Sequence, residues 1–125
     1  MALAQQNTIT DHSKQGEDQR VDLAVVIPAL HEAQNLALLL PDLRAVLDAL
    51  AISYQIIIVD RRPDAATREL ADTYRADLLD QQDRGYGAAL ALAFRAARAR
   101  YILTMDADLS HPPLYIHDLW QQRHE

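Results

Sequence analysis

Two aspartates one residue apart, Asp106 and Asp108, stand in the stretch YILTMDADLSHPP. A pair of carboxylates at a chain turn offers hard oxygen ligands to one point. Mg2+ or Mn2+ prefers that donor set, and a bound nucleoside diphosphate would complete the shell. The spacing alone is weak: with 14 aspartates in 125 residues, chance supplies roughly one to two such pairs, and a solvated turn is the alternative. The setting adds to it, because the acids follow an apolar run and precede two prolines that open a helix.

Other polar residues also stand directly after apolar runs. Glu32, in IPALHEAQNL, offers a carboxylate to a base or ribose, or else complements a helix N-terminus, where acids are stabilised by the macrodipole. Asn35 is equally placed to cap that helix. Asp60 is followed by Arg61 and Arg62, which either pair with it, contact phosphate or face water. Gly85-Tyr86-Gly87 either brings backbone amides to a phosphate or makes a tight strand-to-helix turn. The five histidines have no metal-ligand spacing, and His111 is a ligand candidate or a loop residue. Tyr115 and Trp120 are packing residues of the last helix.

The elements that must position these residues follow from hydrophobic periodicity. Leu23 to Ile27, closed by Pro28, is a short β-branched run suited to a strand buried on both faces. Leu36, Leu39, Leu40, Leu43, Val46, Leu47 and Leu50 recur at helical spacing, with Pro41 either in the first turn of the main helix or kinking it. Further strands are expected at 54–59, 76–79 and 101–105, and helices at 65–75, 88–99 and 114–124. Alternating strands and helices make an α/β protein with a mostly parallel sheet and helices on both faces. Ligands then collect at the carboxyl ends of the strands, where the polar residues above fall.

Composition sets outer bounds. Half the residues are hydrophobic and 24% are charged, the balance of a soluble globular domain. Eighteen acids against 12 bases leave a net charge of −6, which argues against nucleic-acid binding. The absence of cysteine excludes disulfides, zinc–thiolate sites and thiol catalysis. No apolar run approaches the roughly 18 residues of a membrane span, and no secretory leader is visible. The expected location is cytoplasmic. Residues 1–20 are polar and aperiodic, and read as a disordered tail. No Gly-Lys-Ser or Gly-Lys-Thr is present for a P-loop, and Pro28-Ala29-Leu30-His31 replaces the glycine-rich turn of a dinucleotide site.

Taken together, VVIPALHEAQNL, YQIIIVDRRPDAAT, DRGYGAALALAFRAA and YILTMDADLSHPP resemble, in order, the nucleotide-sugar-binding half of family 2 glycosyltransferases, particularly the dolichyl-phosphate mannosyltransferase-like branch. The resemblance covers nearly everything from Val21 to Pro113. It implies a GT-A (Rossmann-like) fold for 21–125, a divalent metal, and hexose transfer from a GDP- or UDP-sugar to a polyprenyl or dolichyl phosphate, at the cytoplasmic face of a membrane. On this resemblance Pro28, Leu30, Glu32, Val59, Asp60 and Arg61 bind the nucleotide sugar together with Asp106, Ala107 and Asp108. Asp106 and Asp108 carry the metal and the catalysis, and Ser110 joins the metal shell.

The chain departs from the family at four places. Leu30 stands where an aromatic is usual, and Arg61-Arg62-Pro63 replaces a second acid followed by Gly-Ser. Ser110 replaces a glutamine. The chain also ends soon after the acid pair, where the family continues into its acceptor-binding half, so it reads as a truncated domain with an unpaired sheet edge and a tendency to self-associate. A catalytically inactive fragment or pseudoenzyme that serves as a protein-interaction module is the competing expectation.

Overall fold

The computed structural model describes residues 1–5 and 19–124. Its elements are β1 (Ala2–Gln5), β2 (Val21–Pro28), α1 (Ala33–Ala49), β3 (Tyr54–Asp60), α2 (Ala65–Thr73), β4 (Asp77–Asp80), α3 (Tyr86–Ala96), β5 (Ala99–Thr104) and α4 (Tyr115–Gln121). They form one five-stranded sheet in the order β1-β5-β2-β3-β4. The pairs β5–β2, β2–β3 and β3–β4 are parallel, and only β1 runs antiparallel, against β5.

Strand alternation divides the core between the two faces. Leu23, Val25, Ile27, Ile56, Ile58 and Leu103 point to one side, where they meet the α1 row of Leu36, Leu39, Leu40, Leu43 and Leu47, Ala71 of α2, and Ile116 and Trp120 of α4. Ala24, Val26, Ile57, Val59 and Ile102 point to the other, against Ala89 and Ala93 of α3. The successive side chains of a strand alternate faces, so a run that is apolar at every position must be covered twice. Alanines on both α3 and the sheet let α3 lie close.

The path along the sheet reverses once. From β2 the chain steps outward through α1 to β3 and through α2 to β4. It then returns through α3 to β5, on the opposite side of β2. Right-handed crossovers put α3 on the face opposite α1 and α2. The reversal leaves a crevice between the carboxyl ends of β2 and β5, the place where open parallel sheets take ligands.

One local feature differs from the sequence expectation, and two decide alternatives that it left open. The tail expected over 1–20 is instead a strand at Ala2–Gln5, with Leu3 opposite Leu103. Met1 and Leu3 pack partly against the core, so apolar burial offsets the ordering of a segment too short to show periodicity. Residues 6–18 of that expected tail lie outside the described residues. Pro41 lies in the middle of α1, not in its first turn. Pro41 and Ala37, whose carbonyl loses its amide partner four residues on, are both exposed, so that carbonyl is open to solvent. Glu32, not Asn35, precedes α1 as its cap residue, and Asn35 Nδ2 donates to Glu32 Oε2 at 2.7 Å.

A side-chain cap starts α2. The Thr67 amide donates to Asp64 Oδ1 at 2.9 Å, and this bond holds the Asp64 carboxyl below the usual carboxylate range. A carboxyl whose folded pKa is depressed contributes stability above its unfolded value, about 3.9, and loses it as pH falls through the lower folded value. Asp64→Ala should therefore lower the melting temperature at pH 7 and lose that deficit relative to the parent near pH 2. Asp64→Asn, still able to cap, should flatten the same acid limb while keeping most of the stability. Melting curves between pH 2 and 7 check this, and an unaltered acid limb in both variants would refute it.

Candidate functional site

A cleft of about 580 Å³ opens over the carboxyl ends of β5, β2, β3 and β4. Each strand end contributes to it in turn: Asp106, Ala107 and Asp108 beyond β5, and Pro28, Ala29, Leu30 and Glu32 at the end of β2. Val59 and Arg61 come from β3, and Gln81 and Arg84 from beyond β4, with Gly85, Tyr86 and Ala89 of the α3 start alongside.

Backbone bonds lock these ends together. The Met105 amide donates to the Val26 carbonyl at 3.0 Å, the Ala29 amide to the Val59 carbonyl at 2.8 Å, and the Gln81 amide to the Asp60 carbonyl at 2.8 Å. The sheet ladder thus continues past the strands into the loops that bear the polar groups.

Asp106 is half-buried and Asp108 is exposed. After Asp108 the chain turns through Leu109, which takes a left-handed φ of 67°. That turn brings the Ser110 amide back to Asp108 Oδ1 at 3.0 Å, the pattern of an aspartate turn. Hydrogen bonds from the Ser110 hydroxyl, and then from its amide, hold the Asp108 carboxyl below the ordinary range.

Asp60 is almost wholly buried, at 1% exposure, and does not line the cleft. Its Oδ1 accepts the His31 amide at 3.1 Å and the Arg61 amide at 2.6 Å, joining the β2 and β3 loops. Its Oδ2 is shielded and has no partner, as is Nε of Arg61. Arg62, at a left-handed φ of 49°, is tied by its amide to Asp80 Oδ1 at 2.8 Å and stands outside the cleft.

Of the residues singled out in the sequence, Pro28, Leu30, Glu32, Val59, Arg61, Asp106, Ala107 and Asp108 share this one cleft, whereas Asp60 and Ser110 do not line it. Gln81 was not among them. Its side-chain amide donates to the carbonyls of Asp83 and Gly85, shaping the loop that enters α3. Its signal was positional: β4 ends at Asp80, one residue later than periodicity suggested, and Gln81 is the first residue past it. Gly85 has φ 105°, a conformation that favours glycine, and it precedes α3 without a side-chain cap.

Among the described residues no group of three or more histidine, aspartate or glutamate side chains gathers as an all-protein metal cage. Two cleft-lining carboxylates suit the other arrangement, in which a hard cation takes one or two protein carboxylates and completes its shell with substrate phosphates and water. The donor set therefore fits Mg2+ or Mn2+.

A mostly parallel α/β sheet whose chain reversal opens into an acid-tipped cleft has the GT-A architecture. A solved glucosyl-3-phosphoglycerate synthase from Mycobacterium tuberculosis, in complex with Mn2+, uridine diphosphate and glucosyl-3-phosphoglycerate, shares this fold with a TM-score of 0.68. The identity is 20%, over 84% of this chain and 40% of that one. An uncharacterized glycosyltransferase of Synechocystis is 32% identical over 114 residues, covering 84% of this chain and 36% of that protein. The dolichol-phosphate mannosyltransferase of Saccharomyces cerevisiae is 29% identical over 112 residues, covering 84% of this chain and 42% of that enzyme. Residues 24–123 match Glycosyl transferase family 2, and the chain belongs to that family. It spans about two fifths of the length of these relatives.

Proposed function

We propose that this chain forms the donor-binding half of a glycosyltransferase that moves a hexose from a GDP- or UDP-sugar to a polyprenyl phosphate at the cytoplasmic face of a membrane. The observation that carries the reading is the placement of Asp106 and Asp108 on the crevice between β2 and β5, in one cleft with Pro28, Leu30, Glu32 and Val59. The yeast relative supports the acceptor class by its name. Among the described residues no helix is long and apolar enough to cross a membrane.

In this reading Asp106 and Asp108 would hold Mg2+ or Mn2+, and the Ser110 amide holds the Asp108 carboxylate in place. The metal supplies neutralisation of the charge that develops on the departing nucleoside diphosphate. An acceptor phosphate oxygen forms the new bond to the sugar's anomeric carbon as the bond to the diphosphate breaks. Because the acceptor is already an anion, this transfer needs no strong base from the cleft. Glu32, steadied by Asn35, offers its carboxylate to ribose or base hydrogen-bond donors. Leu30 and Val59 supply apolar walls.

Calorimetric titration with GDP-mannose and UDP-glucose, in Mn2+ and then in EDTA, tests the reading. Binding that requires the metal is the expected result. A folded chain that binds neither donor would overturn it and favour the interaction-module alternative.

A further inference from the structure

The connection from β2 to α1 runs only from Ala29 to Glu32, and it carries two residues of the cleft, Leu30 and Glu32. It is tied to β3 at two points. The Ala29 amide donates to the Val59 carbonyl at 2.8 Å, and the His31 amide donates to Asp60 Oδ1 at 3.1 Å. Leu30 lies between the two ties, and Glu32 directly follows the second. The same Asp60 oxygen takes the Arg61 amide at 2.6 Å, which fixes the carboxylate over its own loop.

His31 depends on the second tie. Its φ of 54° is left-handed, a conformation that an L side chain adopts at a cost. Such a residue persists only where its surroundings over-determine it. Asp60 supplies that hold from within the protein, being 1% exposed and absent from the cleft lining. The carboxylate carries a cost of its own, since Oδ2 is shielded without a partner. What the buried charge achieves is one fixed arrangement of two loops.

We infer that Asp60 is a positioning residue of this cleft. It holds His31 left-handed and so sets where Leu30 and Glu32 stand, without touching the ligand. If residue 31 leaves that conformation, the chain direction after Leu30 changes and Glu32 moves with it. The Asn35 bond steadies the Glu32 side chain but not the backbone that bears it. The inference rests on the donor-binding reading above and adds a residue that governs donor affinity through the backbone of its neighbour loop.

A glycine takes left-handed φ about as readily as right-handed, so His31→Gly removes the need for the clamp. The test is calorimetric titration of the full chain with GDP-mannose and UDP-glucose in Mn2+ and in EDTA, and with inorganic pyrophosphate in Mn2+. Asp60→Ala, Asp60→Asn, His31→Gly and the pair Asp60→Ala/His31→Gly run beside the parent, with circular dichroism to establish folding. Asp60→Ala should weaken binding of the preferred donor about tenfold, because affinity scales with the fraction of chains whose residue 31 stays left-handed. Asp60→Asn, which keeps an acceptor oxygen without the charge, should lose about threefold. His31→Gly alone should stay within about twofold of the parent, and in the pair it should restore affinity to within about threefold. Pyrophosphate requires only the acid pair and should bind every variant like the parent.

A folded Asp60→Ala that binds donor like the parent overturns the inference and leaves the donor reading standing. A loss that His31→Gly fails to repair overturns it too, as does pyrophosphate affinity that falls with the donor's. If Asp60→Ala is unfolded, Asp60→Asn with and without His31→Gly makes the same comparison. A folded parent that binds neither donor removes the donor reading and the inference together.

Discussion

Asp106→Asn should abolish the metal-dependent part of donor binding while leaving the fold intact. The substitution keeps size and shape and exchanges a charged oxygen ligand for a neutral amide, a weak partner for a hard cation. Loss of a residue that merely orients a metal ligand typically weakens metal binding about 10–100-fold, so loss of a ligand itself should cost at least that much. In Mn2+ the variant's donor affinity should fall to what the parent shows in EDTA.

Asp108→Asn should do the same. Its amide oxygen can still accept the Ser110 amide that Asp108 Oδ1 takes at 3.0 Å, so the turn at Leu109 should persist and the loss should be confined to the metal. Because Asp106 is half-buried and Asp108 exposed, neither change should move the melting temperature greatly. Titrations of the two variants with donor and Mn2+ decide the matter, and parent-like affinity in both would sink the assignment of the pair.

The second large effect concerns stability. Leu40→Ala should destabilise the chain by about 2–5 kcal/mol, the range for emptying a leucine site in a core. Leu40 is fully buried and belongs to the α1 row that covers β2, β3 and β5. Domains of this size are stable by only about 5–15 kcal/mol in total, so a single deletion removes a large share. Leu38, two residues away on α1 and 61% exposed, is the internal control. Leu38→Ala should change stability by no more than about 0.5 kcal/mol. Urea titrations compare the two, and equal losses would mean that α1 does not pack as described.

Most of this architecture was legible in the sequence because burial on both sheet faces leaves β-branched runs, and one-sided burial leaves helical spacing. The runs 23–27 and 54–59 and the leucine row of α1 carry those signatures plainly. β1 did not, because four residues contain too little periodicity and are held by pairing with β5, a contact distant in sequence. The start of α3 was expected two residues late, at Ala88. A glycine with φ 105°, not a capping side chain, makes that junction, and Tyr86 already lies in the helix.

The site was legible to the extent that it obeys position, since residues past parallel strands face the ligand. Asp60 and Gln81 mark where position alone fails. Asp60 stands at a strand end yet turns inward to bind two loop amides. Gln81 acts on nearby carbonyls, a local hydrogen-bonding role that carries no spacing pattern.

The sheet order also distributes rigidity. β5, which carries Asp106, is flanked by β1 and β2, whereas β4, which leads to Gln81 and Arg84, has a sheet neighbour only in β3 among the described residues. Local opening starts where backbone bonds are fewest and most exposed to water. Amides of β4 should therefore exchange with solvent before those of β5. The acidic end of the cleft is a fixed anvil, and the loop that enters α3 is the part that yields to fit what is laid against it.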